Sequence, residues 1–109
     1  MVEERYEVEA AADELARLAA VTTGGDWRVG GLLATRPEVI AHVGEGATEH
    51  VAEARAGTAR WIAALSPALA APLAEWLRSA ARADRLDPAA LAFARELRRR
   101  LGTGRGAEG

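Results

Sequence analysis

The stretch from Ala52 to Ala81 constrains the fold more than any other, because it places two amphipathic helices on either side of a marked corner. Ser66-Pro67 is a helix-start signal: a serine hydroxyl can accept from free backbone N–H groups, and proline suits the first helical position. Before the corner, Thr58, Trp61, Ile62 and Leu65 fall on one helical stripe. After it, Leu69, Leu73, Trp76, Leu77 and Ala80 do the same. Two such helices predict a core that takes one tryptophan from each, Trp61 and Trp76.

Composition limits what surrounds that core. A chain of 109 residues is enough for one small domain, and the expectation is a single domain over residues 1–102 with a disordered tail at 103–109. About a quarter of the residues are alanine, which buries little area per side chain, so the tryptophans and the Leu/Ile/Val set must supply most of the hydrophobic stabilisation. An isolated monomer should be only marginally stable, and this favours a homo-oligomer. The absence of cysteine excludes disulfides and thiolate zinc sites. No apolar run approaches the ~18 residues of a membrane span, and the acidic start, MVEERYEVEA, differs from a secretory signal or transit peptide. A soluble cytoplasmic protein with no membrane partner is expected.

All fourteen basic residues are arginine, and lysine is absent, a pattern that GC-rich codon usage produces. The charge is unevenly spread. Residues 1–54 carry four arginines and eleven acids, giving −7, whereas residues 55–109 carry ten arginines and five acids, giving +5. The two halves either neutralise each other within one fold, pair head-to-tail between copies, or leave a basic end for nucleic acid.

In order, Glu3 to Val21 reads as a helix, with Val8, Ala11 or Ala12, Leu15 and Leu18 at three- and four-residue steps and glutamates crowding its first half. Thr22-Thr23-Gly24-Gly25 stops it. Asp26–Val29 reads as extended, Gly30-Gly31 as a hairpin turn and Leu32–Thr35 as the return strand. Pro37 interrupts pairing. Glu38–Val43 alternates, with Val39, Ala41 and Val43 on one face, and Thr48–Glu53 returns after a glycine turn with Val51 inward. Helix two then runs from about Thr58 to Leu65, with a start one turn earlier at Ala54 as the alternative. Helix three runs from about Pro67 to Ala83, kinked or delayed by Pro72. Helix four follows the Asp87-Pro88 cap signal to Leu101, with Ala90, Ala94, Leu97 and Leu101 as its stripe and Gly102 as C-cap. The fold class is α+β: an N-terminal helix, a small antiparallel meander of three or four strands, then three helices.

Three pieces of this order, the GGDWRVGG entry, RPEVIAHV, and TARWIAALSPALAAPLAEWL, resemble small proteins of actinobacterial phages and prophages similar to the Ead-type phage early-region proteins. In that family an N-terminal helix leads to a Gly-Pro-Trp-like turn and short strands, then a segment of the form Asn/Asp-Ala-x-aromatic-Ile-Ala and a Ser-Pro helix start. Gly25, Trp27 and Arg28 match the first part, and Thr58 to Ala63 with Ser66-Pro67 match the second. Asp26 stands where proline is usual, and Thr58 where Asn or Asp is usual. The resemblance covers about residues 8–100. It implies an accessory phage or prophage protein and carries over no catalytic residue.

Candidate sites are few. His42 and His50 are equidistant from Gly46 and would face each other if the turn is centred there, with Glu45 or Glu49 beside them. Two histidines leave a zinc site short of ligands, so exposed hairpin residues are the better reading. The glycine pairs lack any phosphate-loop spacing, and Ser66 lacks the context of a nucleophile. Arg95, Arg98, Arg99 and Arg100 near the end of helix four are candidate nucleic-acid contacts, against the plainer reading of cations placed at a helix C-terminus. A sequence pI near 5.7 argues against a typical nucleic-acid binder. Trp27, Trp61 and Trp76 suggest a ligand cage less than they suggest a core. Val2, Tyr6 and Leu86 lie off the core stripes as candidate contacts between copies. With no cofactor or catalytic constellation in view, the expected function is that of a non-enzymatic accessory protein binding itself or a host or phage protein. A nucleic-acid-binding regulator is the alternative.

Overall fold

The computed structural model describes residues 2–31 and 36–102. These form α1 (Val2–Ala20), β1 (Asp26–Gly30), β2 (Glu38–Gly44), β3 (Ala47–Glu53), α2 (Ala56–Ala64), a 3-10 turn (Pro67–Leu69), α3 (Ala70–Arg82) and α4 (Pro88–Leu101). The fold is α+β, with three strands in one antiparallel sheet. The return strand expected over residues 32–35 and the tail over 103–109 lie outside the described residues. Contacts gather in two compact units, one built on α1, α3 and α4, the other on Val21–Leu69.

In the helical unit, α1 packs against both α3 and α4, which touch each other little. The core is Val8, Ala11 and Ala12 from α1, Ala74, Leu77 and Ala81 from α3, and Ala94 from α4, with Leu86, Leu91 and Leu97 packed against it. Leu86 is thus a core neighbour, and the expectation that it is a free contact is corrected. Alanine at these positions lets helix backbones approach closely, and close approach fixes which stripe turns inward. In α3 that stripe is Ala70, Ala74, Leu77 and Ala81. The expected stripe shares only Leu77 with it, and Trp76 remains 44% exposed. Leu18 of α1, also expected inside, is exposed.

The helix ends follow the sequence signals. Asp87 Oδ1 accepts from the Ala89 N–H at 3.0 Å, Pro88 opens α4, and Gly102 closes it at φ +69°. Ser66 Oγ accepts a long bond from Ala68 N, 3.4 Å. A single 3-10 turn follows, and the regular helix begins only at Ala70, so Pro72 falls in its first turn, where a missing N–H costs nothing. The end of α3 is satisfied from a distant part of the chain. The Arg5 guanidinium donates to the carbonyls of Ala81 (2.6 Å), Ala83 (2.6 Å) and Asp84 (3.0 Å), three acceptors at a helix C-terminus.

In the sheet unit, β2 is central, with order β1-β2-β3. β1 pairs directly with β2, from Asp26 opposite His42 to Gly30 opposite Glu38. Gly31, which follows β1, has φ +69°. Between β2 and β3 the turn residues Glu45 and Gly46 both have positive φ, +49° and +81°, as a tight two-residue hairpin of the mirror type requires. Two register shifts leave Val43 of β2 and Val51 of β3 as extra residues. The shift between His42 and Gly44 removes Val43 from the inward series, and it is 45% exposed, whereas Val39 and Ala41 are fully buried. Trp27 and Val29 stand opposite Ala41 and Val39, on the same face. α2 packs against β1 and β2. Gly25 is fixed by close approach, since a Cβ there would lie 2.6 Å from the His42 carbonyl oxygen.

Candidate interaction face

The four arginines singled out in α4 are all engaged by carboxylates. Arg95 forks onto Glu7, Nε to Oε1 at 2.7 Å and Nη2 to Oε2 at 3.1 Å. Arg98 forks onto Glu14, a buried carboxylate, at 3.0–3.2 Å. Arg99 and Arg100 both reach Glu96 one turn back. The Arg95 hydrogen bond holds the Glu7 carboxyl below its ordinary range, and the same bond raises Arg95. Arg99, then Arg100, lower Glu96 in the same way. With Arg78–Asp13 (3.0 Å) and Arg82–Glu9 (3.9 Å), the acids of α1 meet the arginines of α3 and α4 within one unit.

The histidines are not cross-strand partners. The register places His42 opposite Thr48 and His50 opposite Ile40, because the hairpin is centred between Glu45 and Gly46 and Val43 is an extra residue in β2. His50 Nδ1 instead lies 2.7 Å from Glu38 Oε1 on the exposed face. No group of three metal-ligating side chains occurs among the described residues, and no helix there is long and apolar enough to cross a membrane. An open recess between Arg36, Pro37, Glu53, Ala54 and Arg55 is closed on one side by an Arg36–Glu53 ion pair at 3.0 Å.

The tryptophans part company. Trp27 is half-buried, and its Nε1 donates to the Thr23 carbonyl at 3.2 Å. Trp76 is tilted against Phe93 at 5.6 Å between ring centroids. Trp61 is 67% exposed, which corrects the expectation of a shared Trp61/Trp76 core. α2 turns its small residues inward: Ala59 is fully buried and Ser66 beyond it nearly so, with Ile62 and Ala63 half-buried. The large stripe is left outside. Trp61, Leu65 (51% exposed) and Leu69 (36% exposed) run at four-residue steps along α2 and the turn after it. Arg60 adjoins them and Arg55 precedes the helix; both are exposed, and their side chains make no hydrogen bond or ion pair among the described residues. Large outward apolar groups of this kind mark an interaction surface more than a solvent face. A second, smaller exposed stripe begins α1, where Val2 and Tyr6 are 84% and 67% exposed beside Glu3.

Sequence reasoning named Trp61 and Leu65 but put them inside. Their exposure was not signalled, because both α2 stripes are apolar in the sequence. Set against protein-family models, curated proteins and solved structures, the chain matches none.

Proposed function

We propose that this chain is a non-enzymatic accessory protein of the phage or prophage type, working in the cytoplasm by binding another protein through the outer face of α2. The observation that carries the reading is Trp61, two-thirds exposed, one helical turn from the exposed Leu65. Tryptophan and leucine placed this way cost hydration without any gain inside the unit, and a partner that covers them recovers that burial. The alternative, a nucleic-acid regulator, has less support: Arg95, Arg98, Arg99 and Arg100 already have carboxylate partners. Bringing phosphates to them would require breaking those pairs or adding charge beside acids.

Affinity capture from cells that carry the gene, followed by reconstitution from purified components, tests the reading. Wild type and Glu45→Gln should hold the same partner, and Trp61→Ser should lose it. If Trp61→Ser retains every protein that the wild type retains, α2 is not the binding face.

A further inference from the structure

The charge on the α2 face selects among occupants. The helix AGTARWIAA contains no acid, and the two guanidiniums of Arg60 and Arg55 at its outer side have no partner among the described residues. Two copies meeting α2 to α2 would bring like charges together beside the apolar contact, which is unfavourable. The face instead fits a helix with two large apolar groups one turn apart and carboxylates next to them.

The chain itself carries such a helix. In α1, Val2 and Tyr6 have the same four-residue spacing as Trp61 and Leu65, and both are more than half exposed. At ~1.5 Å rise per residue, each pair spans about 6 Å, so the two ridges can interdigitate. Glu3 adjoins Val2 and has no partner among the described residues, and Glu9 is held only loosely, 3.9 Å from Arg82. We propose that the outer face of α2 docks the N-terminal half of α1 from a second copy of this chain. Val2 and Tyr6 pack against Trp61 and Leu65, and Glu3 meets Arg60. The contact joins two different faces: exchanged reciprocally by two copies it makes a dimer, and repeated head to tail it makes a larger assembly. This inference rests on the reading of α2 as a protein-binding face and names its occupant.

Light scattering coupled to size exclusion, on the full chain over a wide concentration range, reads the association. The expected result is a mass above the 11.5 kDa of one chain. Tyr6→Ser and Trp61→Ser should each weaken association about tenfold or more, as loss of an aromatic anchor does. Mixing the two variants should restore part of it, because the Tyr6 of one chain then meets the Trp61 of the other. Arg60→Glu should weaken association and Glu3→Arg in the same chain should restore it. Circular dichroism establishes that each variant remains helical. A full chain that stays at one chain mass overturns the inference, and so does association that survives Tyr6→Ser while Trp61→Ser abolishes it, since that is α2 meeting α2. A strictly monomeric chain whose capture of a different protein depends on Trp61 sinks the inference but leaves the proposed function standing. Loss of that Trp61-dependent capture would sink the proposed function too.

Discussion

Arg98 of α4 reaches Glu14 of α1 and forks onto it, Nε lying 3.2 and 3.1 Å from the two carboxylate oxygens and Nη2 3.0 Å from one of them. Glu14 is only 8% exposed, and Arg98 lies against both of its carboxylate oxygens. The pair belongs to a set in which Glu7, Glu9 and Asp13 of α1 meet Arg95, Arg82 and Arg78. Much of the charge segregation between the halves of the chain is therefore neutralised inside the helical unit.

Breaking the pair from the arginine side should be costly. Arg98→Ala removes the forked partner of a buried carboxylate and should lower stability by about 1–3 kcal/mol, less than for a fully buried pair because Arg98 is partly solvated. The double variant Glu14→Leu/Arg98→Met should recover most of that loss, and chemical denaturation measures both. Equal stability of Arg98→Ala and wild type would mean that Glu14 is solvated in solution.

Acid titration should expose the Glu7–Arg95 bond. Arg95 depresses the Glu7 pKa in the folded chain below its ordinary value, chiefly through the side-chain hydrogen bond. The stabilisation is present above the unfolded value and is lost as pH falls through the depressed one. Thermal melting from neutral pH downward should therefore show a steeper acid decline for wild type than for Glu7→Gln. Parallel curves would argue that the bond does not persist in solution.

Two glycines should respond in opposite directions. Gly25 sits at φ +87° with the His42 carbonyl oxygen 2.6 Å from any Cβ, so Gly25→Ala should destabilise by about 1–3 kcal/mol. Gly57 lies in α2 with open space around it, and Gly57→Ala should be neutral or stabilise by up to ~1 kcal/mol. Denaturation midpoints of the two variants on opposite sides of wild type would bear this out.

Core rank should follow burial and not size. Leu77→Ala, at a fully buried position, should cost about 2–5 kcal/mol. Trp61→Ala, although it removes the larger side chain, should change stability by less than ~0.5 kcal/mol under conditions where the chain is monomeric. A large loss for Trp61→Ala there would return it to the core.

Much of this protein is legible in its sequence. Asp87-Pro88 and Gly102 delimit α4 almost to the residue, because capping chemistry is local. The helix–meander–helices order follows from periodicity and from Gly, Pro and Ser punctuation. The sequence also contains the opposed charges of α1 and α4, but not their use, which only the packing of α4 along α1 decides. Likewise, a hairpin centred between Glu45 and Gly46, with Val43 as an extra residue in β2, separates His42 from His50 through backbone geometry that side-chain patterns do not encode. The deepest difference concerns which stripe is inside. In α2 and α3 a stripe of large apolar residues lies beside a stripe of alanines, and periodicity alone favours the larger. Tertiary structure takes the alanines, because short side chains let the elements close on one another at low steric cost, and it leaves Trp61 outside.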